Sequence, residues 1–343
     1  MTEAVDLAAL AADAVPDEVV ARLRQAREVL AVGHENPDAD TLGATLALCR
    51  VVEAIGGRAT AVSSDEPPPI YAFMPDIARV RPEPDPAVAY DLLVLSDCAT
   101  AERVGAVAGR HPDLFRDLPR VIIDHHASND GRGAGDWVDP AAAATCEMTA
   151  LLAVRLGVPL DAGDGALATA LMAGIVMDTA TFAHPNATPR TLAVSAALVE
   201  SGAPLSDISR RLYRSKPDAQ LRLFGRVLGR LRTSPDGLII WSTLEPGDLE
   251  ATGALPAHSE GIIDLLAQSE TAEVAMLLKG QDDGTTRLSV RTKPGGVDAT
   301  VLTGTFGGGG HARAAGATIL KPLDEAVVDV GAVAAPLAAA VSR

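Results

Sequence analysis

Short apolar blocks in the first half of the chain are separated by stretches where apolar and polar positions mix at helical spacing. Val29-Leu30-Ala31-Val32 leads into a helical segment near Thr41 to Ile55, and Tyr90 to Leu95 and Val121 to Ile123 are further β-rich runs. This alternation predicts an α/β domain on a largely parallel sheet flanked by helices. Residues 65–86 break the pattern. Pro67-Pro68-Pro69, Pro82, Pro84 and Pro86 fix φ and remove backbone donors, so a surface excursion is expected there rather than helix or central strand. Helical spacing returns from Thr188 through Glu200, is interrupted at Gly202 and Pro204, and gives way to a basic helical stretch reaching about Arg232. After Asp236-Gly237 come β-like runs at Leu238 to Trp241, Ala275 to Leu278 and Leu288 to Val290, then four glycines, Gly307 to Gly310. The reading is a two-domain α/β protein: an N-terminal domain over 1–205, a basic connector over 206–235 and a smaller α/β domain over 236–343. The Ala-rich tail is expected to form a terminal helix from near Pro336.

Composition narrows the function classes. With 48% hydrophobic and 22% charged residues in 343, the chain carries enough apolar content for packed cores. Aromatic residues are only 3% and the formal net charge is -16. Both disfavour long nucleic acid as a partner, which needs many phosphate contacts and stacking surfaces. A small anion needs only a local positive site, and a bound cation can provide one. Cys49, Cys98 and Cys146 are odd in number and widely spaced, as in a reducing compartment. The start of the chain has Glu3 and Asp6 in place of a basic segment, and the longest apolar run, Ala166 to Met177, is too short for a membrane span. A cytoplasmic protein without membrane attachment is expected.

Three strand-like runs end in acids or histidines. The first is followed by His34, Asp38 and Asp40; the second, Leu93-Val94-Leu95-Ser96, by Asp97; the third, Val121-Ile122-Ile123, by Asp124-His125-His126. Ligand sites of open α/β sheets lie at such strand ends. Asp38 or Asp40 alone reads equally as a helix N-cap. A fourth acid, Asp178, closes the apolar run from Met172 to Met177. Sharing one cleft, Asp38, Asp40, Asp97 and Asp178 would repel unless cations neutralised them. Two divalent ions match four charges. Mixed carboxylate and imidazole donors suit Mn²⁺ first and Mg²⁺ second, and phosphate-ester hydrolysis is the natural two-metal chemistry.

The series His34-x-x-x-Asp38-x-Asp40, Asp97, Asp124-His125-His126 and Asp178 resembles the four ordered motifs of the DHH phosphoesterases. Gly307-Gly308-Gly309-Gly310-His311-Ala312-Arg313-Ala314-Ala315-Gly316 resembles the signature of the DHHA1 domain that accompanies them. Size and layout look closest to the branch of nanoRNases, pAp phosphatases and phosphodiesterases acting on cyclic di-AMP and pApA. The resemblance implies one metal on His34, Asp38 and Asp97 and a second on Asp40, Asp97, His125 and Asp178, with Asp97 bridging and a two-metal-activated hydroxide as nucleophile. It implies that Asp124 orients His125, and that His126 faces the substrate phosphate as hydrogen-bond donor or general acid. Arg291, Gly308, Gly309, Gly310 and His311 would contact substrate in a cleft between the domains, with a small nucleotide or short oligoribonucleotide as ligand. Long duplex is not expected. A homodimer is one assembly the reading admits. The rival readings are a RecJ-type single-strand exonuclease, an inorganic pyrophosphatase and a nucleotide sensor without turnover.

Weaker signals stay open at this level. The glycine block reads as a loop, or as backbone that a phosphate approaches closely. Between Arg210 and Arg232 stand eight basic residues against one acid, Asp218. Arg222, Arg226 and Arg230 recur at helical spacing, as a solvated face or one that steers anions. Gly131-Arg132-Gly133-Ala134-Gly135 has no helix pattern after it and reads as a mobile loop. His184, Asn186 and Thr188 fit the site or, for Thr188, a helix cap; His111 and His258 read as surface histidines and Cys98 as packing.

Overall fold

The protein is described from a computed structural model covering residues 6–131 and 133–341; Glu3 and Arg132, used above, lie outside the described residues. Two compact units divide at Ser215 and Lys216. The first contains α1 (Leu7–Ala14), α2 (Asp17–Gln25), β1 (Glu28–Val32), α3 (Ala39–Ala54), β2 (Arg58–Val62), β3 (Leu92–Ser96), α4 (Ala106–Arg110), α5 (Pro112–Asp117), β4 (Arg120–Asp124), β5 (Asp136–Val138), α6 (Thr145–Leu156), α7 (Ala166–Asp178), α8 (Pro189–Glu200) and α9 (Leu205–Tyr213). Among the described residues its sheet is five-stranded, order β2-β1-β3-β4-β5, and parallel throughout.

The uninterrupted apolar runs of β1, β3 and β4 follow from burial on both faces. Val29, Ala31, Val94, Val121 and Ile123 pack towards the helices α3, α6 and α7. Leu30, Val32, Leu93, Leu95 and Ile122 pack on the other face against Val104 and Val107. The proline-rich stretch carries only short turns, Pro69–Tyr71 and Ile77–Arg79, and is pinned by buried Tyr71 and Met74.

The second unit contains α10 (Asp218–Leu228), β6 (Arg232–Thr233), β7 (Ile239–Leu244), α11 (Asp248–Thr252), α12 (Ile262–Leu266), β8 (Val274–Gly280), β9 (Thr286–Thr292), α13 (Ala299–Gly304), β10 (Gly309–His311), β11 (Ala314–Ile319) and α14 (Leu323–Val341). Its sheet runs β10-β11-β9-β8-β7-β6, mixed because only β7 and β8 pair in parallel. Met276, Leu278, Leu288 and Val290 face α14. Ala275 and Leu277 face α10 and α12. Among the described residues no helix is long and apolar enough to cross a membrane.

Two expectations need correction. The segment 206–235 is no separate connector, because its helices are amphipathic and each is absorbed into a core: Ile208 and Leu212 of α9 in the first unit, Leu223, Phe224 and Val227 of α10 in the second. The terminal helix starts at Leu323, well before Pro336, which lies inside it. Ala326, Val330, Ala334 and Ala338 recur every fourth residue and are fully buried, so packing on the sheet carries the helix through the proline.

The basic stripe is largely spent inside the second unit. Arg226 Nε donates to Asp248 Oδ1 at 2.9 Å, and Arg230 Nη1 and Nη2 donate to its two oxygens at 2.6 and 2.9 Å. Burial raises the Asp248 pKa, but the hydrogen bonds of Arg230, Glu245 N and Arg226 outweigh it and hold the value at about 2. This folded value lies below the ordinary one, so the stability from Asp248 is complete above about pH 4 and is lost as pH falls towards 2. Asp248→Ala leaves two guanidinium groups facing a buried gap. It is expected to lower the stability of this unit by about 3 kcal/mol, measured by urea unfolding through Trp241 fluorescence in a Trp137→Phe background.

Candidate active site

The order β2-β1-β3 places a reversal of winding between β1 and β3, where the carboxyl ends of adjacent strands open a crevice. His34 follows β1, Asp97 follows β3, and Asp124 ends β4. Register keeps these ends level: Val32 pairs with Leu95, and Ser96 with Ile123. Asp97 N donates to Ile123 O at 2.9 Å, while Asp97 itself adopts φ 58°. A left-handed conformation is costly for a residue with a Cβ, and here it turns the carboxylate into the crevice.

Asp97 is 2% exposed, and its two oxygens face different partners. Oδ2 accepts from Thr41 Oγ1 at 2.7 Å and lies 3.4 Å from His34 Nε2. Oδ1 accepts from Thr145 Oγ1 at 3.0 Å and lies 3.7 Å from His125 Nε2 and 3.6 Å from His126 Nδ1. Asp97 therefore belongs to two donor sets whose atoms converge within 4.8 Å, one with His34 and Asp38 and one with His125 and His126, and a third set of Asp40, His125 and Asp178 shares His125 with the second of these. His125 Nε2 is 3.1 Å from Asp178 Oδ2 and 4.0 Å from Asp40 Oδ2.

Capping and site roles coexist in these acids. Asp38 caps α3, its Oδ1 accepting from Asp40 N at 2.9 Å and Thr41 N at 3.0 Å. Asp40 instead closes the N-terminus of α6, taking Thr145 N at 2.7 Å and Cys146 N at 2.9 Å, where the helix dipole favours an anion. Asp178 is the last residue of α7, where the dipole opposes an anion, so helix stability does not explain it. His184 Nδ1 and Asn186 Nδ2 donate to its carbonyl at 3.1 and 3.3 Å, and Thr188 caps α8.

The histidines are oriented from behind. His34 Nδ1 donates to Glu35 O at 2.6 Å and His125 Nδ1 to Ala142 O at 3.4 Å, which points both Nε2 atoms into the cluster. Asp124 does not orient His125, contrary to expectation. Its Oδ1 accepts from His126 Nδ1 at 2.8 Å and its Oδ2 from Asn129 Nδ2 at 2.8 Å, because His126, two residues on, turns back over the strand end. That bond raises the His126 pKa against partial burial and engages Nδ1, so Nε2 of the partly exposed ring is not used by Asp124.

Burial, then Asp178 and Asp97, push the Asp40 carboxyl well above its ordinary pKa. Burial likewise raises Asp178. For Asp97, burial is outweighed by hydrogen bonds from His34 and Thr41, and the pKa falls. Among the described residues no Lys or Arg pairs with Asp38, Asp40, Asp97, Asp124 or Asp178, and the positive groups that face these acids are the imidazoles of His34, His125 and His126, whose pKa values the acids raise against burial. Carboxylates and imidazole Nε2 atoms at this separation fit two hard to borderline divalent cations.

Sequence reading missed Thr41, Thr145, Ala142 and Asn129. Thr41 stands inside the first motif, but a hydroxyl aimed at Asp97, 56 residues on, leaves no periodic signal. Cys98 is buried and Cys49 and Cys146 are free thiols. His111 pairs with Glu83 at 2.6 Å, and His258 Nδ1 accepts from Leu255 N at 3.1 Å. Residues 133–135 lead into strand β5 rather than a helix, Gly133 N donating to Asp136 Oδ2 at 2.7 Å.

In the second unit, Arg291 Nε donates to Asp264 Oδ1 at 3.0 Å. A cavity of about 390 Å³ is lined there by Glu273, Arg291, Lys293 and Arg313. The glycine block is half turn and half strand: Gly307 lies in a turn at φ 72°, and Gly309 and Gly310 open β10, which pairs antiparallel with β11, Gly310 opposite Ala315. A Cβ on Gly308 or Gly310 would meet Gly316 O at 2.2 Å or Ala314 O at 2.6 Å, whereas one on Gly309 would meet nothing. His311 is exposed beside it.

Comparison with known proteins gives two family matches, the DHH family, N-terminal domain, over residues 28–175 and the DHHA1 domain over residues 249–333. The bifunctional oligoribonuclease and PAP phosphatase NrnA of Thermus thermophilus is 34% identical over 291 residues, which cover 85% of this chain and 83% of that protein. NrnA of Bacillus subtilis is 25% identical, covering 83% and 87%. An exopolyphosphatase-related protein of Bacteroides fragilis shares the fold, with TM-score 0.79 at 18% identity over 95% of this chain and 98% of that one.

The site requires α3, α6 and α7 to approach closely. Gly174 of α7 makes that possible: a Cβ there would lie 2.4 Å from Asp40 Oδ1 and from Cys146 Sγ, and 2.9 Å from the Asp40 backbone. Gly174→Ala should therefore destabilise the first unit by about 2 kcal/mol, despite the better helix propensity of alanine. A thermal melt with an unchanged or raised midpoint would contradict this packing.

Proposed function

Because the chain belongs to the DHH family and is a hydrolase acting on nucleotides, we propose that it cleaves phosphate esters of small adenine nucleotides and very short RNA. The substrates are pApA, pAp and oligoribonucleotides of a few residues, with cyclic di-AMP a further candidate. One observation carries the reading: Asp97 is shared by two convergent donor sets, in a chain that aligns along most of its length with NrnA proteins. His34, Asp38 and Asp97 would hold one cation, and Asp40, Asp97, His125 and Asp178 a second, with Mn²⁺ the first choice and Mg²⁺ the next. Such a pair supplies a water of lowered pKa and neutralises charge on phosphoryl oxygens.

The chain's own groups do the rest. Thr41 and Thr145 fix the Asp97 carboxylate so that it does not rotate between its partners. Asp124 holds His126 through Nδ1 and favours its protonated form, so Nε2, which that bond does not use, would donate to a phosphate oxygen or protonate the leaving one. Arg291, His311 and the backbone of Gly308, Gly309 and Gly310 would contribute substrate contacts, and the open face of Gly309 leaves room for a ligand. A cleft serving only short substrates agrees with the acidic chain, since few positive charges are needed.

AMP release from pApA, pAp, cyclic di-AMP and an RNA of about 24 nucleotides, with Mn²⁺ or with chelator, tests the proposal. Turnover of the short substrates should require metal and fall at least about 10³-fold in Asp97→Ala. Equal cutting of the long RNA would favour the single-strand exonuclease instead, and binding without turnover would favour a sensor. A second expectation concerns protons. Burial opposes charge on His125, but the Asp178 hydrogen bond and the charges of Asp40 and Asp97 hold its pKa at about 10 in the metal-free protein. Metal binding at neutral pH should release about one proton from this ring and tighten as pH rises towards 10. Calorimetry in two buffers of different ionisation enthalpy measures it; identical heats would remove His125 from the ligand set.

A further inference from the structure

Glu147 is fully buried in the first turn of α6, yet it belongs to none of the convergent donor sets. Its Oε1 accepts from Arg190 Nε at 2.5 Å, and its Oε2 from Thr191 Oγ1 at 2.7 Å and Ala143 N at 3.2 Å. Arg190, from α8, reaches further, with Nη2 2.8 Å from Asp139 Oδ2. One guanidinium thus joins the two ends of the segment 139–147, a span suited to a planar fork and not to a single ammonium. A buried ion pair is worth little more than an apolar pair of the same volume, so stability alone does not account for it. A helix N-terminus carries about half a positive charge. That is too little for both Asp40 and Glu147, which crowd the start of α6. Arg190 compensates Glu147 and leaves the first amides of the helix to Asp40.

Inside this bridge lies the backbone that aims three of the site residues. Ala142, Ala143 and Ala144 are buried outside helix and strand, where each polar backbone group needs a partner. Ala142 O accepts from His125 Nδ1 at 3.4 Å. Ala143 O accepts from Asn186 Nδ2 at 3.1 Å, which also donates to Asp178 O at 3.3 Å. Thr145 N and Cys146 N hold Asp40, and Asp139 N donates to Asp124 O at 3.0 Å, one residue before His125. The other ligands are aimed from elsewhere: His34 by Glu35 O, Asp38 by the start of α3, and Asp97 Oδ2 by Thr41.

We propose that the Glu147–Arg190–Asp139 bridge is a positioning device for Asp40, His125 and Asp178. It fixes the Ala142 carbonyl and the first amides of α6, so that loosening it weakens one of the two cations and spares the other. This inference rests on the two-cation reading.

The test uses the full-length protein carrying Glu147→Gln and Arg190→Met together, since removing both charges leaves neither buried alone. The thermal midpoint of the metal-free variant should stay close to that of the unaltered protein. Calorimetry with Mn²⁺ should show one of two binding steps weakened about 10- to 100-fold and the other unchanged. AMP release from pApA should fall at limiting Mn²⁺ and recover the unaltered kcat at saturating Mn²⁺. Equal losses in both steps, whatever the midpoint, would make the bridge a general structural element, and two unchanged steps would sink the proposal. If the unaltered protein binds Mn²⁺ but turns nothing over, the catalytic reading fails and the calorimetry still decides this one. If it binds no Mn²⁺, the two-cation reading fails, and ¹⁵N-histidine NMR of the metal-free protein decides the positioning. The Nδ1–H of His125 should then exchange with solvent faster in the variant, and equal exchange overturns the inference.

Discussion

Carboxylates brought together inside a protein repel and lose hydration, so a fold that gathers Asp40 and Asp97, both nearly inaccessible, with Asp38 and Asp178 must hold them by other means. The first unit does so with dipoles and with imidazoles that the acids keep protonated, and not with Lys or Arg among the described residues. Backbone N–H groups at the start of α6 take both oxygens of Asp40, those of α3 take one oxygen of Asp38, and two threonine hydroxyls take Asp97. Donors of this kind fix direction without cancelling formal charge. The cluster stays electronegative and oriented, which is the condition a cation site needs. Small residues are the geometric counterpart, since only a glycine at 174 lets α7 approach Asp40 and Cys146 so closely.

Sequence carried the parts of this arrangement that depend on chain order. Apolar strand runs ending at Asp97 and at Asp124-His125-His126 are visible because a parallel sheet buried on both faces demands them, and strand ends in such a sheet meet on one edge. Asp178 was conspicuous for a related reason: an acid closing a wholly apolar helix has no local use. Parts that depend on conformation stayed hidden. The left-handed backbone of Asp97, the carbonyl of Ala142 behind His125 and the turn of His126 back onto Asp124 are set by tertiary contacts that residue spacing does not encode. Capping and site roles also proved compatible, because a carboxylate has two oxygens and Asp38 uses only one of them at the helix end.

The misread boundaries share a physical cause. Local rules placed a connector at a run rich in arginine and a helix start at a proline, yet burial overrode both. Amphipathic α9 and α10 have apolar faces that join separate cores, and the buried stripe from Ala326 to Ala338 holds α14 together across Pro336. Charge counted along the sequence was a similar trap. Arg226 and Arg230 recur at helical spacing, but Asp248 takes both, so they contribute little to the field outside.

What remains basic and unpaired in the second unit is therefore more informative than the total. A chain of net charge -16 cannot attract polyanions over its whole surface, and any anion it binds must be selected by a few uncompensated cations. Arg291 is only partly committed to Asp264, while Arg287 and Lys279 face each other without a carboxylate partner among the described residues. In both units it is the charge left without a partner, and not the sum along the chain, that governs the local field.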